Sequence, residues 1–270
     1  MESKMSRKTY IHGSSEAEQE RLSKLNALTN TSFISFLEIN PSDNILEIGS
    51  GLGILAEQIS EKLIEGKLTG IEISQEQLGK CPPEGRKLQF LKGDIHKLPF
   101  EDNSIDKVYG RYILEHLTNP ALALKEAFRV IKPGGEIYLQ ENSILIIEFF
   151  PNCSEFKNIW EKFARLQQEL GGDAMIGIKL NSLLKAVGFE DIILSMAPEI
   201  HWFGKESFEP WIRNLIKNIE GGSKDLLSHN LAVPGEISSA IHELEEFISN
   251  PSASTYFYWN RAKAVKPKSK

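Results

Sequence analysis

The sequence predicts a doubly wound α/β protein, and three observations carry the prediction. From Asn44 onward short apolar runs alternate with longer segments of helical spacing, the runs are apolar at nearly every position, and a glycine-rich loop follows directly on the first of them. Strands that alternate with helices imply crossover connections and a mostly parallel sheet with helices on both faces. Strands buried on both faces lack the in-and-out alternation of a half-exposed strand. At 270 residues, 41% apolar and 25% charged, the chain has material for one large buried core.

The elements follow in order. Ser15 and Glu18 form a capping-box pair that starts a helix, with Leu22, Leu25 and Leu28 at helical spacing behind it. Thr31 opens a second apolar stretch through Phe33, Phe36 and Leu37, which Pro41 stops. Residues 1–40 therefore read as a helical layer. The runs NILEI, LTGIEI, LQFLKGD, IDKVYG and GEIYLQE read as five strands, with helices at ILAEQISEKLIE and PALALKEAFRVI, so that 41–141 forms a core. Pro133, Gly134 and Gly135 read as the stop that ends the last of these helices. Beyond this core, 152–170 and 179–187 are predicted helices, and FEDIILSMAPEIHW and ASTYFYWNRAKAV are two late strands, bringing the total to seven. Ser207 to Ile219 and Gly235 to Ser249 are helical patterns inserted between those two strands, at about 200–250. Residues 142–264 thus complete the sheet of a single domain. The segment Arg261 to Lys270, with five Lys or Arg in ten, reads as a solvated basic tail, at least from 265 to 270.

Composition narrows the function. Lys plus Arg is 31 and Asp plus Glu is 37, a net charge of −6 that offers no global attraction to phosphate backbones or anionic lipid, so no nucleic-acid partner is expected. Cys81 and Cys153 make neither a disulfide scaffold nor a zinc spacing and read as inert thiols. The start MESKMSRKTY lacks the apolar core of a secretory signal, and the run Ile144 to Phe150 is short and carries Glu148, so the expectation is a cytoplasmic protein without a membrane span. His242 and Glu246 stand four apart on a helix, but the second histidine of a zinc-protease pattern is missing and no metal is expected.

The first strand runs into Glu47-Ile48-Gly49-Ser50-Gly51-Leu52-Gly53, immediately before a helix. Glycines there let the backbone turn tightly and let a ligand approach where a Cβ would collide. A dinucleotide fingerprint needs its third glycine at position 54, which is Ile54. Glu47 would repel a pyrophosphate and suits a cationic ligand better. Glu72 closes the second strand where an open sheet places an acid to accept from ribose hydroxyls. An adenosine whose other end is cationic and free of phosphate fits both, and S-adenosylmethionine is such a molecule.

The segments ILEIGSGLG, GIEIS, GDIHKLPFEDNSIDKV, LEHL and EAFRVIKPGG, in this order and spacing over roughly residues 10–141, resemble the class I S-adenosylmethionine-dependent methyltransferases. The resemblance implies a Rossmann-like sheet with an antiparallel last strand and S-adenosylmethionine as cofactor. It further implies that Gly49, Gly51 and Gly53 pass beneath the cofactor, Glu72 holds the ribose, Ile73 and Gln77 flank the adenine, and Asp94 with the Ile95 amide reads the adenine edge. Arg111 falls where the family meets the methionine end. Tyr10 to Gly13 and Glu18 to Leu22 resemble the N-terminal lid of members that act on small molecules, which places Tyr10 and Arg21 over the methionine carboxylate. No role is assigned to His12.

Methyl transfer needs proximity, in-line alignment and a nucleophile in its reactive protonation state. The chain lacks the Asn or Asp with Pro-Pro and an aromatic that amide and adenine methylators carry after the fourth strand; it has Gly110-Arg111-Tyr112-Ile113. His116 and Glu141 follow the fourth and fifth strands and are the candidate bases, against readings as a structural histidine and a helix-start carboxylate. Trp202, Phe203, Phe208 and Trp211 are candidates to roof a substrate pocket. The expectation is transfer to a small organic acceptor by a monomer or homodimer, the alternatives being a protein or RNA methyltransferase or a silent cofactor-binding partner protein.

Overall fold

The computed structural model describes residues 29–268, so Tyr10, His12 and Arg21 lie outside the described residues. Among the described residues eight strands form one sheet: β1 (Asn44–Ile48), β2 (Lys67–Glu72), β3 (Leu88–Lys92), β4 (Ile105–Arg111), β5 (Ile131–Glu141), β6 (Ile147–Phe150), β7 (Glu190–Trp202) and β8 (Ser254–Val265). The order runs β3-β2-β1-β4-β5-β8 and then β7. The first five strands are parallel neighbours, and β8 is antiparallel to β5, β6 and β7. The helices are α1 (Ile54–Ser60), α2 (Gln75–Leu78), α3 (Pro120–Val130), α4 (Ser154–Glu169), α5 (Leu180–Val187), α6 (Phe208–Ser228) and α7 (Pro234–Ile248).

The eighth strand is the one the sequence did not separate. β8 pairs β5 only over Asn260 to Val265, and its first half runs on past the end of β5, where β6 pairs Ser254 to Phe257. Ile147 and Phe149 are buried while Glu148 and Phe150 are exposed, the period of a half-covered strand. With β7 paired along the whole of β8, the late strands form an arm beyond the parallel sheet. The predicted insertion is α6 and α7, which lie between β7 and β8.

Two local expectations are corrected. α3 already ends at Val130, where Ile131 turns extended (ψ 136°), two residues ahead of Pro133, which disfavours helix at Lys132. Pro133-Gly134-Gly135 then lies inside β5, where Ile131 pairs Ile105 and Glu136 pairs Lys107, so the intervening chain bulges out of the ladder. The basic segment is not a free tail from Arg261: β8 runs to Val265, Arg261 is buried, and the Lys266 Nζ donates to the carbonyls of Phe128 and Ile131 at 2.7 and 2.8 Å.

Apolar packing follows strand parity. Ala262 and Ala264 of β8 join Val108, Ile137 and Leu139 in a core closed by α3 and α5. On the other face Tyr109 and Tyr138 pack with Phe33 and Leu37 and with Leu55 and Ile59 of α1. Residues 29–36 are helical and are pinned there by Ser32 to Arg261 (3.0 Å) and Glu38 to Lys263 (2.5 Å). In the arm, Phe257 and Trp259 pack with α4, α6 and α7. Among the described residues the arm's other face is uncovered: Met196, Ile200, Trp202 and Tyr256 are exposed beside an apolar groove of about 280 Å³.

Candidate active site

β1 ends at Ile48, and the chain reverses through Gly49, Gly51 and Gly53, all with positive φ. The amides of Gly49 and Ser50 donate to the Ile71 carbonyl at 2.9 and 3.0 Å, which fastens the loop to β2. A side chain at Gly53 would meet the Phe90 ring at 2.4 Å, whereas one at Gly51 would meet only the Gln77 Oε1 at 3.6 Å. The loop is thus packed from below at Gly53 and open beside Gln77 at Gly51. Glu72 sets its height: Oε2 accepts from the Gly51 amide at 3.0 Å and Oε1 from the Ser74 amide at 2.8 Å. Ser74 in turn caps α2, which carries Gln77. Ile73, between Glu72 and that cap, is 57% exposed, an apolar side chain on the open edge.

Asp94 follows β3. Its Oδ1 accepts from the His96 amide at 2.9 Å and contacts the His96 ring at 2.7 Å. Desolvation pushes its pKa up, but these bonds outweigh it and hold the carboxyl below its ordinary value. Asp94 is therefore a turn residue whose outer face remains exposed, with Ile95 buried behind it. This loop is fastened from behind. Arg129, in the last turn of α3, donates to the carbonyls of Leu98 and Phe100 at 3.0 and 2.8 Å and to Asp102 and Glu126 at 2.7 and 2.8 Å, while Glu126 accepts from the Leu98 amide.

Glu47 is buried on β1 with its Oε2 lacking any hydrogen-bond partner among the described residues; the Ser50 Oγ is likewise unpartnered. Burial pushes the Glu47 pKa up to about 8, against the lowering influence of Arg111. A carboxyl so placed gains most from a ligand that brings positive charge. Arg111 ends β4; its guanidinium donates to Thr29 and Asn30 at 3.3 and 2.8 Å and lies over the Phe33 and Tyr112 rings. It therefore tethers the helix at 29–36 to the sheet edge.

The two candidate bases separate. Glu141 is fully buried, and its oxygens accept from the amides of Ile113, Leu114 and Glu115 at 3.1, 3.0 and 3.4 Å. Burial, reinforced by Glu115, raises its pKa to about 8 despite those bonds. Both oxygens are committed to the backbone, so Glu141 is a helix-start carboxylate holding the short turn Leu114–His116, and its reading as a base is withdrawn. His116 ends that turn, partly buried, with Nε2 at 3.8 Å from Glu115. Sequence reasoning missed the groups behind it: Glu115 is buried and takes Asn142 at 2.8 Å and Gln167 at 3.3 Å. It also missed Gln140, which donates to the Tyr112 hydroxyl at 2.6 Å and accepts from Arg261 Nε at 2.6 Å. Only the strand-end position of Gln140 signalled it; Tyr112, at φ 56°, gave no sign of its turn.

The proposed roof divides. Phe208 and Trp211 are core residues, Trp211 stacking on His201 at 4.7 Å and packing against Phe257 and Trp259. Trp202 and Phe203 are half-exposed at the end of the arm. The Cys81 thiol contacts the Gly51 carbonyl at 3.5 Å, and burial with the nearby carboxylates raises its pKa to about 11; burial raises Cys153 to about 12. Neither is a nucleophile at neutral pH. His242 and Glu246 form an exposed pair at 3.4 Å, and no metal-binding cluster occurs among the described residues.

The unpartnered Glu47 oxygen, the opening at Gly51 and the acid at the end of β2 suit a cationic adenosyl ligand. Comparison agrees. A methyltransferase-domain family model matches residues 46–139. The candidate methyltransferase YrhH of Bacillus subtilis is 30% identical over 120 residues, 43% of this chain and 67% of that protein. A sterol 24-C-methyltransferase of Gibberella zeae is 33% identical over 161 residues, 56% of this chain and 40% of that one. The structure of Haemonchus contortus phosphoethanolamine N-methyltransferase 2 with phosphomonomethylethanolamine and S-adenosylhomocysteine superposes with a TM-score of 0.54 at 17% identity, over 93% of this chain and 53% of that one. The chain belongs to the class I S-adenosylmethionine-dependent methyltransferases, and its cofactor is S-adenosylmethionine. It spans half or less of the length of the first curated relatives it matches.

Proposed function

We propose that this methyltransferase acts on a small organic nucleophile in the cytoplasm. The observation that carries the reading is the enclosure of the strand ends where transfer would take place. Gln140 and Glu141 at the end of β5 are fully buried, the helix at 29–36 covers one side, and the Tyr112 ring packs on Trp259 of the arm at 4.5 Å. A folded macromolecule has poor access to such an edge; a small acceptor enters more readily. The sterol named for one relative and the phosphomonomethylethanolamine of the superposed structure are acceptors of that size. Among the described residues no helix is long and apolar enough to cross a membrane, and both cysteines are free thiols.

When bound, the cofactor supplies an electrophilic methyl group on a sulfonium. The chain's part is positioning. Glu72 would hold the ribose, Gln77 and Ile73 the sides of the adenine, and Asp94 with the Ile95 amide its edge, while Glu47 would balance positive charge. His116, on a turn held by Glu141, would accept a proton from an oxygen or nitrogen nucleophile. The reading is tested by incubating the protein with methyl-labelled cofactor and, separately, a metabolite extract and a macromolecular fraction. Label in the metabolite fraction that falls in His116→Gln, with S-adenosylhomocysteine binding kept, is the expected result; label only in macromolecules refutes it.

A further inference from the structure

We infer that Arg261 is an anion-binding residue, whose guanidinium takes the carboxylate or phosphate of a small molecule bound at the carboxyl edge of the sheet. Arg261 is buried, only 8% exposed, in the middle of β8. Its partners are neutral: Nε donates to Gln140 at 2.6 Å, Nη2 to Ser32 at 3.0 Å, and the group lies 5.9 and 5.1 Å from the Phe33 and Phe36 ring centroids. The next cations on this face are treated differently. Lys263 pairs with Glu38 and Glu136, and Lys107 with Glu136 and Asp43. A buried charge is costly unless an opposite charge accompanies it, and Arg261 has none in ion-pair contact among the described residues. Glu199, whose field reaches it, is spent on the Trp259 Nε1 at 3.0 Å and faces His201 at 3.3 Å.

A second guanidinium stands close by. Arg111 flanks the same Phe33 ring and repels Arg261. Two guanidinium groups beside one ring, Arg111 at the end of β4 and Arg261 on β8 opposite Gln140 near the end of β5, are of the kind that takes carboxylate or phosphate. Gln140 links Arg261 to Tyr112, which follows Arg111, so the two cations belong to one polar network reaching the transfer edge.

The inference deepens the small-acceptor reading and rests on it only for one of its two possible anions. The anion is either the cofactor's amino-acid carboxylate or an acidic group of the acceptor. Calorimetry on wild type, Arg261→Lys and Arg261→Met compares S-adenosylhomocysteine with 5′-methylthioadenosine, which lacks the amino-acid end. Labelled transfer to a metabolite extract is then resolved by anion exchange. A loss of tenfold or more in S-adenosylhomocysteine affinity in Arg261→Met, with methylthioadenosine unaffected and Arg261→Lys intermediate, assigns the cofactor carboxylate. Unchanged S-adenosylhomocysteine binding with wild-type product retained on the anion exchanger, and that product lost in Arg261→Met, assigns an acidic acceptor. Unchanged cofactor binding together with product that is not retained overturns the inference. The retention measurement uses wild type alone and survives a poorly folding variant. Label confined to macromolecules removes the small-acceptor reading yet leaves the calorimetric arm standing.

Discussion

The parallel sheet up to Glu141 and the arm beyond it are built on different terms. In the sheet, two acids at the strand ends are committed to backbone: Glu72 takes the amides of Gly51 and Ser74, and Glu141 takes three amides of the next turn. In the arm, the equivalent stretch of β8 presents Phe257 and Trp259, which interlock with Trp211 and the helices α4 and α7. The difference teaches that one half fixes main chain and the other fixes volume. Changes in the first should act on ligand binding, and changes in the second on folding.

The largest effect expected is in the arm. Trp211→Ala should cost about 3–5 kcal/mol of stability, the usual range for emptying an aromatic core site, read by denaturant unfolding, while S-adenosylhomocysteine affinity at a folded temperature stays within twofold. A matching loss of affinity would break the division. Next, Glu72→Gln should weaken S-adenosylhomocysteine by roughly 1–3 kcal/mol, on a calorimeter, since it removes the charge from both amide bonds and from the proposed contact with the ribose. Wild-type affinity in this variant would place the ribose elsewhere.

The buried carboxyls sharpen the contrast through pH. Glu47 and Glu141 have folded pKa values raised to about 8 from an ordinary 4.5, so each keeps a proton that the unfolded chain loses. The stability this gives is present at low pH and drains away as pH rises from about 4.5 to 8, by up to about 1.4 kcal/mol per pH unit for each group. Melting of the ligand-free protein across that window should show the decline, and Glu141→Gln should flatten it; an unchanged slope in that variant would mean that Glu141 titrates normally. The smallest effect lies on the arm's uncovered face, where Trp202→Ser should shift unfolding by less than about 0.5 kcal/mol, because the ring is already half in solvent.

The same division explains what the sequence disclosed. Glycines at 49, 51 and 53 and an acid at 72 are legible because the backbone needs those residue types there: positive φ and a close loop leave few alternatives. All the strands but β6 were legible as apolar runs, and the inserted helices from their apolar period. Glu141 was ambiguous because its partners are amides of a turn set by Tyr112 at φ 56°, a conformation with no residue signature. The fate of Trp211 and of Arg261 depends on which strand faces which helix, and β8 changes neighbours from β6 to β5 along its length. A linear pattern carries no mark of that exchange.

Arg129 joins two ends of the family pattern that are far apart in sequence. By clamping the carbonyls of Leu98 and Phe100 it makes the back of α3 the hinge pin of the loop bearing Asp94 and Ile95. If that loop holds the adenine as proposed, anyone reshaping it has two handles: the exposed rim at Asp94 and the concealed fastening at Arg129, where the loop's freedom to yield is decided.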